Sequence, residues 1–549
     1  MTVTEDNNIS AFDKYTKEDI MVSAADGVLL RTVIFKPKDG KETWPCIVER
    51  CPYAGMLSNI ADGFADAFCA RGYAYVLQMC RGVGGSQGKW EPNINEREDG
   101  LSLLRWLERQ DWVENIGYKG YSYLALAGWA MADAVPEKVK SMFLSAYGCD
   151  RFTSAYSNGL FRHDILTGWS MQNAGFPVEA DYLESCRYLP LIEVDEALWG
   201  GRVDWYRDYI SNPDNRNGYW SGGFWGMLRD IPRKVKLPLY IVEGWFDHHL
   251  ASALKSYERL PQETKNKTVL EIGPWDHSFN MAVHGYKESA KNADANQNNK
   301  MLDWFDLTLK RGELPQGRVA YYHVGSDTWK SAAAYPFADQ GGVTYGLSRT
   351  ADGKCLLPAA NGEGIVSFTY DPKNPVPSVG AESMLTTDGQ RGSLVQPEPD
   401  YRPDVITFLS PVLEDALDVP GKVKIRLRVA SDAEDTAFCA KLCEVMPDGK
   451  TYNLRTVIGS LAYREGPEQP VDYIPDTFVD LELNSWDISW RFQKGSRIRL
   501  DVTSSDFPQY AAHPNSKVLW STVKEVRIAH QQIDCSASSV YFPAGKWHI

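Results

Sequence analysis

The feature that most constrains this chain is an alternation, through its first half, of short and almost continuously apolar runs with amphipathic helical stretches. The runs at 29–35, 45–50, 73–79, 141–146, 237–243 and 269–273 are rich in Val, Ile, Leu, Tyr and Phe, as strands covered on both faces must be. Between the third and fourth of them, residues 95–110 read as a helix. Leu103, Trp106 and Leu107 share one face, and Glu96, Glu98 and Asp99 lie in the first turn, where negative charge suits the helix dipole. Strand and helix in alternation predict an α/β architecture on a largely parallel sheet.

That texture breaks at Gly148. From 148 to 234 the chain is amphipathic, poor in β-branched residues and crowded with rings, eleven of which are Tyr156, Phe161, Trp169, Phe176, Trp199, Trp205, Tyr206, Tyr209, Trp220, Phe224 and Trp225. This predicts an inserted, mostly helical cap. Strand-like texture resumes over 235–335. Beyond it, 336–549 turns to short period-two segments such as 423–430, 436–445 and 497–504, broken by Asp352-Gly353 and Pro447-Asp448-Gly449. Period two with frequent turns predicts a C-terminal β-sandwich or jelly roll. The expected organisation is a catalytic domain split into 1–147 and 235–335, a cap at 148–234 and a sandwich at 336–549. Eighteen Trp, 28 Tyr and 20 Phe in 549 residues exceed what core packing alone calls for. The cap rings are expected to overhang a site as its wall.

Fifty-eight basic residues against 72 acidic ones leave a net charge of −14, and no basic cluster supplies the positive field that nucleic acid or an anionic membrane needs. No apolar stretch reaches membrane-spanning length, and the first residues lack a secretory signal pattern. Ten scattered Cys with no CxxC pair argue for reduced, cytoplasmic usage rather than a disulfide frame or zinc ribbon. The expected partner is a small-molecule substrate, with neither nucleic acid nor membrane; a homodimer is compatible with this.

The strongest local motif is Gly120-Tyr121-Ser122-Tyr123-Leu124, which leads into a small-residue helix at 125–134. A nucleophilic Ser at a sharp strand-to-helix turn needs small neighbours, and Leu124 stands where the second Gly of G-x-S-x-G belongs. By itself the tetrapeptide is as readable as an ordinary turn. Its partners strengthen it. The run at 237–243 continues into Gly244-Trp245-Phe246-Asp247, and the run at 269–273 into Pro274-Trp275-Asp276-His277-Ser278. Asp247 and His277 thus follow strand C-termini, on the same sheet edge as Ser122, in the chain order Ser, acid, His. Asp276 competes for the acid role, but adjacent side chains point apart. His248 and His249 raise a metal reading, which adjacency and the absence of HExxH weaken, so neither a metal nor a cofactor is expected. The Tyr123 N–H would be one oxyanion donor. Tyr53, in Cys51-Pro52-Tyr53 after a strand, would be a phenolic second one, or a packing residue. Gly82-Val83-Gly84-Gly85-Ser86-Gln87 lacks the last Gly of a dinucleotide fingerprint, and Cys439 and Cys443 read as buried packing.

Taken in order, Cys51-Pro52-Tyr53, Arg81-Gly82 through Gly88, Gly120 to Leu124, Gly244 to Asp247, Gly273 to Ser278, Tyr370-Asp371-Pro372 and Gly495 through Pro508 resemble the cocaine-esterase-like (CocE/NonD) serine hydrolases. These are relatives of the X-prolyl dipeptidyl peptidases and α-amino acid ester hydrolases. The resemblance implies an α/β-hydrolase fold, a helical cap after the sixth strand and a jelly roll, with a Ser122, Asp247 and His277 triad and an oxyanion hole of Tyr53 and Tyr123. Two departures stand out. Ala125 replaces the Gly usual three residues after the Ser. His249 and Leu250 stand where the amino acid ester hydrolases carry acidic residues for a substrate ammonium, which makes a free α-amine less expected.

The expected activity is cofactor-free cleavage of an ester or amide of an apolar or aromatic acyl group through an acyl-enzyme. Trp169, Phe161, Phe246 and His249 are expected to line the substrate pocket. An X-Pro dipeptidyl peptidase and an acyltransferase to a small amine or alcohol are the alternative readings.

Overall fold

The computed structural model describes residues 14–544 apart from 58, 284–296, 340, 361, 381 and 383–390. Its main sheet is built from β1 (Tyr15–Ser23), β2 (Leu29–Pro37), β3 (Trp44–Cys51), β4 (Ala74–Met79), β5 (Val113–Tyr121) and β6 (Val139–Ser145). After an insertion that carries the hairpin β7 (Tyr156–Ser157) and β8 (Leu160–Phe161), the sheet continues with β9 (Leu239–Phe246), β10 (Val269–Asp276), β11 (Arg318–His323) and β12 (Thr328–Ala332). The strand order is β1-β2-β4-β3-β5-β6-β9-β10-β11-β12. Pairing is parallel from β4 through β11 and antiparallel at both margins. Every residue of β3, β4, β9 and β10 is buried, which is why these strands read as almost continuously apolar runs.

Helices α1 (Asn59–Ala70), α2 (Glu96–Glu108) and α3 (Tyr123–Met131) connect the early parallel strands. Strand β5, whose end carries Ser122, is hidden in the sequence because Glu, Asn, Gly and Lys interrupt it. Lys119 is nonetheless buried, with Nζ 2.5 Å from Glu49 of β3. The edge strand β1 is mostly exposed, with a pattern of polar residues that carries no strand signal.

The insertion between β6 and β9 holds α4 (Phe152–Ala155), α5 (His163–Gln172), α6 (Tyr182–Arg187), α7 (Asp204–Ser211), α8 (Gly218–Ser221) and α9 (Gly223–Asp230). Beyond β12, a five-stranded sheet centred on Ala529–Pro543 and a six-stranded sheet containing Ala437–Val445, Thr451–Ser460 and Arg497–Thr503 form the β-sandwich. Ile365–Tyr370 alternates exposed and buried at every step, the signature of a sheet wetted on one side. Cys439 and Cys443 are buried within Ala437–Val445, and all ten cysteines are free. One hydrophobic core runs through all three textures, joining Leu104 and Trp129 to Tyr206 and Trp220 of the insertion and to Leu427 and Trp490 of the sandwich. Among the described residues no helix is long and apolar enough to cross a membrane.

Candidate active site

Ser122 sits between β5 and α3 with φ 56° and ψ −125°, a backbone state that costs a non-glycine residue roughly 1–3 kcal/mol and persists only where the surroundings impose it. They do. The Ser122 N–H donates to the Ser145 carbonyl at 3.0 Å, tying the turn to β6, and the Tyr118 hydroxyl donates to the Leu124 carbonyl at 2.8 Å. A Cβ on Gly120 would lie 2.3 Å from the Leu124 oxygen, and one on Gly128 would lie 2.5 Å from the Tyr118 ring. The small residues that the sharp turn demands are therefore Gly120 and Gly128, and Leu124 is accommodated between them.

His277 Nε2 is 2.9 Å from Ser122 Oγ, and its Nδ1 is 2.9 Å from Asp247 Oδ2. A carboxylate only accepts, so Nδ1 carries the proton and Nε2 is free to accept from the serine hydroxyl. The second Asp247 oxygen accepts the His249 backbone N–H at 2.6 Å. Asp276 does not reach the His277 ring. Its Oδ1 accepts the N–H groups of Ser278 and Asn280, both at 2.9 Å, and so shapes the turn that presents His277. From the other side, the Tyr121 hydroxyl donates to the His277 carbonyl at 2.7 Å.

The surroundings of the relay are buried. Burial, then the Asp247 charge, raises the Glu243 carboxyl well above the usual range. Burial first, followed by neighbouring positive groups, holds His248 and His249 well below the ordinary histidine value. Adjacency does not keep Asp247 and His248 apart, contrary to expectation. The His248 ring lies 4.2 Å from that of His277, and Asp247, His248 and His277 bring ligand-type atoms within 4.8 Å of one another. Two of the three are engaged in the relay to Ser122, whose geometry accounts for them with no ion.

A cavity of about 470 Å³ opens over Ser122, and Tyr53, Tyr121, Tyr123, Tyr147, Trp169 and His249 are among the residues that line it. Trp169 Nε1 donates to the Tyr53 hydroxyl at 3.3 Å, and burial pushes the Tyr53 phenol up to about 12, so it keeps its proton as a donor. Tyr123 is the first residue of α3, where a backbone N–H has no intrahelical acceptor. The His249 ring packs 4.1 Å from that of Tyr147, with Nδ1 2.9 Å from Ser154 Oγ.

Two expected pocket residues lie elsewhere. Phe161, on β8, is fully buried, stacks on Trp520 at 5.2 Å and borders a separate cavity between the insertion and the sandwich. Phe246 is also buried, with its ring 5.3 Å from the Arg455 guanidinium. It is the last residue of β9, and Asp247 follows in the turn beyond the strand. Of the eleven cap rings, only Trp169 lines the Ser122 cavity. Sequence reasoning missed Tyr121, Tyr147, Arg151 and the Glu49–Lys119 pair, all of which line it. The alternation of Tyr121 and Tyr123 around Ser122 was the one available signal.

Residues 26–279 match the family described as X-Pro dipeptidyl-peptidase (S15 family), and 309–539 match the X-Pro dipeptidyl-peptidase C-terminal non-catalytic domain. The chain is 27% identical over 540 residues to cocaine esterase of Rhodococcus sp. (strain MB1 Bresler), covering 91% of this chain and 92% of that protein. Among solved structures, an α-amino acid ester hydrolase superposes with a TM-score of 0.82 at 21% identity, covering 99% of this chain and 98% of that one. An aminopeptidase from a marine sediment Thaumarchaeota archaeon superposes with a TM-score of 0.80 at 20% identity, with the same coverage. These superpositions carry the fold: an α/β-hydrolase domain with a cap and a C-terminal jelly roll.

Proposed function

We propose that this chain, a serine hydrolase built from the catalytic and C-terminal domains of the X-Pro dipeptidyl-peptidase S15 family, cleaves a small-molecule ester or amide with an apolar or aromatic acyl group. The observation that carries the reading is the unbroken hydrogen-bonded series from Asp247 through His277 to Ser122, ending in a cavity walled by aromatic rings. In this mechanism His277 Nε2 takes the Ser122 proton as Oγ attacks the carbonyl. Asp247 holds the imidazole and stabilises its charged form. The Tyr53 hydroxyl and the Tyr123 N–H receive the developing oxyanion. The protonated His277 then gives its proton to the leaving alcohol or amine as the bond from the carbonyl carbon to that group breaks, and a water that His277 deprotonates attacks the acyl-enzyme and releases the acid and Ser122.

Likeness to cocaine esterase supports the ester preference. A substrate with a free α-amine, as an X-Pro peptidase takes, fits less well. Among the described residues, Glu49 is the one carboxylate that lines the cavity, and Lys119 already neutralises it. Ten free cysteines support a reducing, cytoplasmic setting.

The test is a panel of p-nitrophenyl acyl esters, X-Pro anilides and aminoacyl anilides against wild type and Ser122→Ala, with fluorophosphonate labelling of Ser122. Hydrolysis of aryl esters that vanishes in Ser122→Ala is expected. A folded enzyme that neither labels nor cleaves any panel member overturns the reading. Faster turnover of X-Pro anilides shifts it to the peptidase, and a new amide or ester product formed with an added amine or alcohol shifts it to acyl transfer.

A further inference from the structure

The Ser122 cavity holds a cation without a counter-charge. Arg151, immediately before α4, lines the cavity, is only 7% exposed, and has its Nε buried with no hydrogen-bond partner. Its guanidinium is surrounded by rings, with Cζ 5.9 Å from the Tyr147 ring and 5.8 Å from the Tyr209 ring. No carboxylate of the described residues is within ion-pair reach of it. Asp150, its neighbour in the chain, is turned to Lys255 and Arg259, each at 3.4 Å. The other charged pair lining the cavity, Lys119 and Glu49, is closed on itself.

Two other buried arginines each meet a carboxylate at hydrogen-bond distance. Arg162, in the same inserted segment, meets Asp164 at 3.0 Å, and Arg499 meets Asp501 at 2.8 Å. Burying a charge is unfavourable unless it is paired and hydrogen-bonded. Ring faces offset part of that cost and the Tyr209 side chain shares a hydrogen bond with Arg151, but neither supplies a negative charge and Nε remains without an acceptor.

We propose that Arg151 receives a carboxylate of the substrate, so that the preferred ester or amide joins an apolar body to a second, anionic end. This rests on the hydrolase reading above. A single guanidinium matches a carboxylate charge for charge and presents a planar fork suited to it, whereas a phosphate dianion would enter the cavity half-compensated. The nearby imidazoles of His248 and His249 are held well below the ordinary histidine value by burial and by positive neighbours that include Arg151 itself, and so add no second cation.

Two pairs of esters test this and locate the anion. In the first, p-nitrophenyl hemiglutarate is compared with its neutral methyl ester, which places the carboxylate on the acyl side. In the second, 4-carboxyphenyl butyrate is compared with 4-carbamoylphenyl butyrate, which places it on the leaving group. In wild type, kcat/KM for the acid is expected to exceed that of its neutral partner by about 10- to 100-fold in one pair, chiefly through KM. That ratio should collapse in Arg151→Met and recover in part in Arg151→Lys. Equal rates for both members of both pairs overturn the proposal, as does a preference that survives in Arg151→Met.

Wild type decides the first point without any variant, so a variant that fails to fold does not blunt the test. Fluorophosphonate labelling with hydrolysis of the neutral esters separates failure of this proposal from failure of the hydrolase reading. If no ester is cleaved, calorimetric binding of monomethyl glutarate against dimethyl glutarate to Ser122→Ala still decides. Tighter binding of the acid supports the proposal, and equal or absent binding overturns it.

Discussion

Along the edge of the catalytic sheet a residue's surroundings follow from its distance to a strand end, whereas in the inserted segment they follow from which side of a short helix is buried. Tyr53, Tyr121, Ser122, Asp247 and His277 all lie at, or within two residues of, the end of a parallel strand. The ladder fixes the backbone there, so their side chains converge. In the insertion, Trp199 packs on Tyr206 at 4.8 Å, and Tyr209 stacks on Trp220 at 6.0 Å. These rings spend their area on the core, where burying a large apolar side chain stabilises by roughly 1.5–3 kcal/mol. Aromatic density therefore marks a pocket wall only where a scaffold aims the rings, and in the cap it aims one, Trp169.

The contrast can be broken most decisively at Asp247. Asp247→Asn should lower kcat by about 10⁴-fold because the imidazole loses its partner and its tautomer. Asp276→Asn, one residue before the base, should lower it far less; equal losses in stopped-flow acylation rates would merge the two roles. Next in size is Phe161→Ala. It should cost roughly 3–5 kcal/mol of stability in denaturant titration and leave kcat/KM for a neutral aryl ester in place, since that ring sits against Trp520 and outside the Ser122 cavity. A kinetic defect without a stability defect would return Phe161 to the pocket. Tyr53→Phe should lower kcat by about 10²–10³-fold, and full turnover would remove Tyr53 from the oxyanion site.

A pH effect separates the regions again. His163, at the start of α5 against Trp520, is lowered to about 3 by burial, while its unfolded value is near 6.5. Between these values the unfolded chain binds a proton that the folded chain refuses. The stability this group contributes is thus full above pH 6.5 and is lost as pH falls, by about 1.4 kcal/mol per unit. His163→Gln should flatten the decline between pH 7.5 and 5.5 by about one proton's worth, and an unchanged slope would contradict the burial account. The smallest expected effect is that of Trp169→Phe. It removes the indole bond to Tyr53 and should cost about 1 kcal/mol, roughly fivefold in kcat.

Much of the frame was legible because its signals are local. The buried strands β3, β4, β6, β9 and β10 read as apolar runs, and the motifs past β9 and β10, set beside the Gly120-Tyr121-Ser122-Tyr123 turn, brought Ser122, Asp247 and His277 into consideration together. Strand β5 escaped because Lys119 finds Glu49 across the sheet, a pairing that no window of sequence contains. Phe246 was placed in the pocket because it adjoins Asp247, yet its ring packs 5.3 Å from the Arg455 guanidinium of the sandwich, a contact between segments far apart in the chain.

Chain order by itself determined the layered α/β frame, the sandwich that follows it and the sequence of nucleophile, acid and base, since strand ends and turns are written in neighbouring residues. Only the tertiary structure decided what faces the cavity, because that depends on contacts between segments far apart in the chain. Arg151 and Arg162 each have an aspartate within two residues, Asp150 and Asp164, but Asp150 is drawn to Lys255 and Arg259 far along the chain. Folding gives Arg162 a carboxylate and leaves Arg151 without one, at the edge of the space where a substrate would lie.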